Sequence, residues 1–229
     1  MASKVYLSPS NQTANRYAYG DTTEAVQCCR IADACEAALK RCGFEVKNNQ
    51  TSSVNDRCKE SDSWGADLHV PIHTNAFNEA VTGTRIFCYS KTSRGYKAAH
   101  AIFDVLAPIT PGTSESVSVN ATLKETKLPK APSVYVEADF HDVPAVAKWI
   151  IENVEAIGEA ICKGICNYFG KKYVAPEPPA PPKTYKVVLG EYATKAEAEA
   201  ALAKVHKLLG EAQVAMSNLD AQLRKAGVE

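Results

Sequence analysis

The stretch Glu24-Ala-Val-Gln-Cys-Cys-Arg-Ile-Ala-Asp-Ala-Cys-Glu-Ala-Ala-Leu-Lys-Arg-Cys-Gly43-Phe-Glu-Val-Lys47 decides the fold. Its first part has helical periodicity through Cys42, Gly43 supplies a left-handed cap, and Phe44 to Lys47 turns β-rich. The β-rich run Lys4 to Ser8 stands before it, so the order is strand, helix, strand. Working outward, Asp67 to His73, Thr84 to Tyr89 and Ser133 to Glu137 read as further strands. Gly95 to Leu106 and a broken stretch from Pro144 to Phe169 read as helices, the latter with Val154, Ile157, Ile161, Ile165 and Tyr168 on one stripe. Strands alternating with helices predict an α/β fold, a mostly parallel twisted sheet flanked by helices on both faces. In such sheets ligands sit beyond the carboxyl ends of the strands.

The chain has 229 residues, with Lys plus Arg (26) balancing Asp plus Glu (26), so no basic field points to a nucleic-acid partner. Its apolar content of 45% and charged content of 23% suit a packed domain rather than a disordered chain. The longest apolar candidate, Ile150 to Ile165, is interrupted by Glu152, Glu155, Glu159 and Lys163, so no membrane span is expected. The segment Met1-Ala-Ser-Lys-Val-Tyr-Leu7 enters a strand pattern with no apolar h-region, which predicts a protein made in the cytoplasm without a signal peptide. Of the eight cysteines, Cys28, Cys35 and Cys42 repeat every seven residues along one helix face and cannot bridge one another. Cys162 and Cys166 lie four apart on another helix, and no C-x2-C pair occurs, so the thiols read as reduced and structural.

Val174-Ala-Pro-Glu-Pro-Pro-Ala-Pro-Pro-Lys183 is half proline and reads as a semi-rigid spacer. It divides the chain into a domain at 1–172, a Pro-rich linker at 173–183 and a small α or α+β module at 184–229. That module is near the size at which a lone core becomes marginal.

Three strand or loop ends carry acidic or imidazole groups: Asn11 to Glu24, His73, and Glu137 to His141. The topology predicts that they meet at one sheet edge, and two carboxylates with two imidazoles make a zinc-site composition. A hydrolytic zinc needs three protein ligands, an open position and a carboxylate outside the coordination shell. Each residue also has a plain alternative. Glu24 suits the first turn of a helix, His73 a buried hydrogen-bonded histidine, and Glu137 an ion-pair partner.

The string His73-Thr-Asn75-Ala76 after an apolar strand, Val136-Glu137-Ala-Asp-Phe140, and a Glu opening the first long helix together resemble the zinc-dependent N-acetylmuramoyl-L-alanine amidases of the amidase-3 type. That family includes sporulation and autolytic amidases and many phage endolysins, and the resemblance covers roughly residues 3 to 170. It implies Zn2+ held by Glu24 and His73, Glu137 as the catalytic glutamate, and Asn75 as a weaker candidate for binding the peptide stem. The Ser114 to Lys127 loop is a further candidate for that contact. The family's Gly-His-Gly after the first strand is replaced here by Ser8-Pro-Ser-Asn11-Gln12, so the first histidine ligand is missing. His141 is the favoured replacement, with Asn11 or Gln12, weak neutral oxygen donors, as alternatives. His69 lies about 13 Å back along its strand from His73, too far to share one metal.

The implied reaction is hydrolysis of the amide between N-acetylmuramic acid and L-alanine, with bacterial peptidoglycan as partner and action on the wall after phage or mother-cell lysis. A zinc peptidase cutting the stem peptide, or a non-catalytic wall-binding protein, remains open. Thr184 to Val205 resembles the first half of a sporulation-related repeat, whereas Glu211 to Lys225 reads as a second helix. The module is therefore expected either to bind wall or to form a homodimer.

Overall fold

In a computed structural model, residues 2–177, 191 and 193–225 are described. The chain divides into two units, Met1–Glu177 and Pro178–Glu229. In the first, six strands form one sheet: β1 (Lys4–Pro9), β2 (Glu45–Asn48), β3 (Leu68–Asn75), β4 (Arg85–Cys88), β5 (Ser116–Val119) and β6 (Tyr135–Phe140). The spatial order is β2-β1-β3-β6-β4-β5, and every pairing is parallel except β4 with β6. The helices are α1 (Glu24–Arg41), α2 (Val54–Trp64), α3 (Arg94–Leu106), α4 (Lys124–Lys127), α5 (Pro144–Glu152) and α6 (Val154–Phe169).

The period of two along each strand makes the two sheet faces chemically different. Val5, Leu7, Leu68, Val70, Ile72, Ile86, Val134, Val136 and Ala138 belong to the hydrophobic core shared with α1, α3 and α6. The alternate positions Tyr6, Ser8, His69, His73, Tyr135 and Glu137 form a second face that carries polar groups. The first face therefore supplies the cohesion, and the second is available for chemistry.

Helix α1 starts where the Thr23 hydroxyl accepts from the Val26 amide, and Gly43 follows it at φ +77°. Glu24 at its start and Lys40 and Arg41 at its end both complement the helix dipole. Helix α6 approaches α1 and α3 more closely than a side chain would allow. A Cβ on Gly158 would stand 2.7 Å from the Cys35 amide nitrogen, and one on Gly164 would stand 2.4 Å from Ile102 Cα.

The Pro144 to Phe169 stretch breaks at Asn153, as its pattern predicts. Helix α2, strand β5 and helix α4 are additions to the sequence reading, and the last two lie inside the expected Ser114 to Lys127 loop. Tyr173 and Val174, assigned to the spacer on proline content, hydrogen-bond to the domain through Glu159, Arg41 and Cys42.

In the second unit, α7 (Lys195–Lys225) is a single helix that passes through Gly210, so the expected separate helix at Glu211 is its continuation. The strand expected from Thr184 lies outside the described residues. Among the described residues no helix is long and apolar enough to cross a membrane.

Candidate active site

The carboxyl ends of β1, β3 and β6 meet at the start of α1. Pairing of β3 with β6 sets His73 beside Glu137, and the strand register shifts between His73 and Asn75, which stands beside Phe140. Glu24 reaches across from the first turn of α1, its Oε1 standing 2.7 Å from His73 Nδ1. Its other oxygen, Oε2, accepts from Asn15 Nδ2 at 2.7 Å, and Asn15 also donates to Gln12 Oε1 at 3.0 Å. The Glu24 amide donates to the Asn15 carbonyl, so the loop after β1 clamps this carboxylate from two directions. Burial alone would raise the Glu24 pKa, but the hydrogen bond and charge of His73, with Asn15, outweigh it and hold the carboxyl below its usual value. Tyr135 stacks on the His73 ring at 4.5 Å and fixes its plane.

Glu137 is in the opposite condition. Its Oε2 is buried and has no hydrogen-bond partner. Burial first, and then the charge of Glu24, push its pKa well above the carboxylate range. Two carboxylates thus share one imidazole in a poorly solvated place, and only Glu24 is paired with it.

His141 is buried just past β6. Its Nδ1 is 3.0 Å from Thr74 Oγ1, its ring stacks on Tyr17 at 4.8 Å, and the Tyr17 hydroxyl joins Thr74 at 2.9 Å. Burial lowers the His141 pKa against the pull of Glu24. The structure therefore brings Glu24 to His73, with Glu137 beside them. It does not gather the ligand atoms of Glu24, His73 and His141 into one set within 4.8 Å. Asn11 and Gln12 are exposed, and Asn75 Oδ1 accepts from the Ala76 amide at 2.8 Å. Sequence spacing gave no sign of Asn15, Thr74, Tyr17 or Tyr135, which position the site through loop contacts and sheet stacking.

His69 belongs to a separate buried group on the same polar face. Its Nε2 is 3.2 Å from Glu125 Oε1, and Cys58 lies with them inside 4.8 Å. Ser8 hydrogen-bonds to both Glu125 and the buried Arg57, which also donates to the Pro9 carbonyl. Arg57 already brings a cation to this network, which ties α2 and α4 to β1 and β3.

A protein-family model described as N-acetylmuramoyl-L-alanine amidase (Amidase_3) matches residues 8–167, most of the chain. The chain belongs to that family. Its activity is that of a peptidoglycan amidase acting on the N-acetylmuramoyl-L-alanine bond. No curated protein matches the amidase chain in sequence. Among solved structures, the catalytic domain of CwlV, an N-acetylmuramoyl-L-alanine amidase from Bacillus (Paenibacillus) polymyxa var. colistinus, is similar with a TM-score of 0.63 and 18% identity over 74% of this chain and 99% of that one. An N-acetylmuramoyl-L-alanine amidase from Clostridium difficile 630 gives 0.66 and 20% over 74% and 97%. The catalytic domain of the CD27L endolysin targeting Clostridia difficile gives 0.61 and 20% over 72% and 97%. At these identities the likeness speaks for the amidase fold, while family membership rests on the sequence match.

Proposed function

We propose that this amidase works with zinc held at Glu24 and His73, with Glu137 as the general base. The observation that carries the reading is the unpartnered, buried Glu137 Oε2 beside the Glu24–His73 pair, since a cation there would offset the unpaired carboxylate. The donor types suit zinc: one carboxylate oxygen, one imidazole nitrogen, and His141 as a further imidazole, with Asn11 or Gln12 as the weaker oxygen alternatives. Thr74 occupies His141 Nδ1, which leaves Nε2 as the atom able to ligate.

When bound, zinc supplies Lewis acidity that lowers the pKa of a water and polarises the lactyl carbonyl. The chain's own residues do the rest. Asn15 and His73 keep Glu24 ionised, and the Tyr135 stack keeps His73 in place. A cation nearby would bring the raised Glu137 pKa down, so that its carboxylate takes the proton of the attacking water. As the carbon–nitrogen bond breaks, Glu137 returns that proton to the amine of the departing L-alanine, and the lactyl group leaves as a carboxylate. Asn75, whose Oδ1 is taken by Ala76, keeps its amide hydrogens free to donate to the peptide stem. Endolysin or autolysin action, reached after lysis, is the setting this reading implies, with the second unit either holding the wall or pairing two chains.

Metal analysis of the purified chain together with mass spectrometry of digested sacculi tests the reading. Bound zinc, loss of lysis on chelation and a newly exposed L-alanine amine are expected. A new amine further along the stem would mean a peptidase, and full lytic activity in metal-free protein would refute the zinc role.

A further inference from the structure

A cluster of three thiols lies at the opposite end of α1 from the active site. Cys42 follows the last turn of α1, and Cys162 and Cys166 stand one turn apart on α6. Their three sulfur atoms all lie within 4.8 Å of one another, with Cys42 Sγ and Cys162 Sγ at 3.8 Å. Thiolates about 2.3 Å from a tetrahedral zinc stand about 3.8 Å from each other, so the Cys42–Cys162 pair is at the spacing of metal-bound sulfurs, whereas a disulfide needs about 2.05 Å.

We infer that Cys42, Cys162 and Cys166 form a second metal site, one for a thiophilic ion of the zinc or copper(I) class. Three soft sulfur donors select such ions over magnesium or calcium. Access is available, because Cys42 is only partly buried while its two partners are fully buried. Among the described residues no fourth histidine, cysteine or carboxylate atom joins the three. The surroundings suit a sulfur-rich anion. The Val174 amide points its N–H at Cys42 Sγ over 3.3 Å, and the Lys171 ammonium favours the Cys166 thiolate.

A thiophilic ion binds thiolates, so metal binding expels the thiol protons to solvent. Binding would cross-link the end of α1 to α6. The active-site donors are oxygen and nitrogen, so a thiolate signal separates this site from that one.

The test is cadmium titration of the full chain, reduced and stripped of metal, read by the thiolate-to-metal charge-transfer band in the ultraviolet. A band saturating at one ion per chain is expected, and C42S should weaken it by more than the roughly 10- to 100-fold typical of outer-shell losses. Cys42 is partly exposed, so C42S should fold and retain amidase activity, with circular dichroism as the check. C58S, which alters the other cysteine-containing cluster, should leave the band intact. Metal analysis of chain purified without oxygen then distinguishes zinc from copper. Absence of the band, a band lost in C58S but kept in C42S, or a disulfide from Cys42 to Cys162 or Cys166 in that anaerobic protein would overturn the inference.

Discussion

Glu137 is where stability and chemistry pull apart. Its buried Oε2 lacks a partner, and burial with the charge of Glu24 disfavours its ionised form, so the metal-free fold favours the neutral acid. Glu137→Gln keeps the shape and removes the ionisable group. The variant should lose roughly 10² to 10⁴ in lytic rate. It should nevertheless melt no lower than the parent in metal-free buffer, and it should keep its zinc. A large drop in melting temperature would show that the carboxylate has a stabilising partner, and loss of zinc would make it a ligand.

His141 poses the companion question at the same scale. If its Nε2 completes the metal site, His141→Ala should lower zinc affinity by orders of magnitude while Asn11→Ala stays mild, since Asn11 is exposed. The reverse ranking, read by competition with a chelator, would hand the position to the loop after β1. The meeting of Glu24, His73 and Glu137 was legible because chemistry-bearing residues stood at strand ends and at the start of the first long helix. Asn15 and Thr74 were not, because their contacts run across loops and strands at separations that no periodicity encodes. The thiol cluster was hidden for the same reason, Cys42 and Cys162 lying 120 residues apart.

Elements whose apolar residues follow a period were readable, and those without one were not. Helix α1 and the strands of the hydrophobic face announce themselves. Helix α2 reads Val-Asn-Asp-Arg-Cys-Lys-Glu-Ser-Asp-Ser-Trp, with no apolar stripe, and β5 is a four-residue edge strand. What holds α2 is polar. Glu60 accepts from the Tyr6 hydroxyl at 2.7 Å and from Asn49 at 2.6 Å, and pairs with Lys47 at 3.0 Å. Those partners, Tyr6 foremost, lower its pKa from 4.5 to about 2. The unfolded chain therefore takes up this proton first as the pH falls. The contribution is complete above about 4.5 and is lost as the pH drops through about 2. Acid denaturation of Glu60→Gln should show a shallower loss of stability across that window than the parent, and identical slopes would dismiss the linkage. Two helix glycines, one on α6 and one on α7, give an element-scale test of opposite signs. Gly164→Ala drives a Cβ into the α3 backbone and should cost about 1–3 kcal/mol. Gly210→Ala, with nothing within 4 Å, should instead raise the helicity of α7.

At the scale of the molecule, the question is where the amidase domain ends. Proline content places the boundary near residue 173, yet the segment after α6 is tied back onto the domain. Lys171 Nζ reaches the Gly43 carbonyl at 3.0 Å, Tyr173 donates to Glu159 at 2.6 Å, and Arg41 Nε holds the Val174 carbonyl at 2.9 Å. Arg41 also pairs with Glu159 at 2.6 Å, so the clasp joins the ends of α1 and α6 to the departing chain. A chain ending at Glu177 keeps every one of these bonds and should melt close to the full protein. One ending at Gly170 leaves Glu159 and Arg41 with only each other, and should melt lower. The shorter cut also removes Lys171 and the Val174 amide from beside the thiol cluster. Removing 178–229 should leave cleavage of soluble muropeptides nearly unchanged while weakening pull-down on sacculi, if the second unit binds wall. Exposed Leu202, Leu208, Leu209, Val214 and Met216 on α7 offer apolar surface for a helix pair instead. Sizing decides between the two: unchanged sacculus binding with a shift from dimer to monomer assigns the second unit to pairing, and weakened binding by a protein that is monomeric throughout assigns it to the wall.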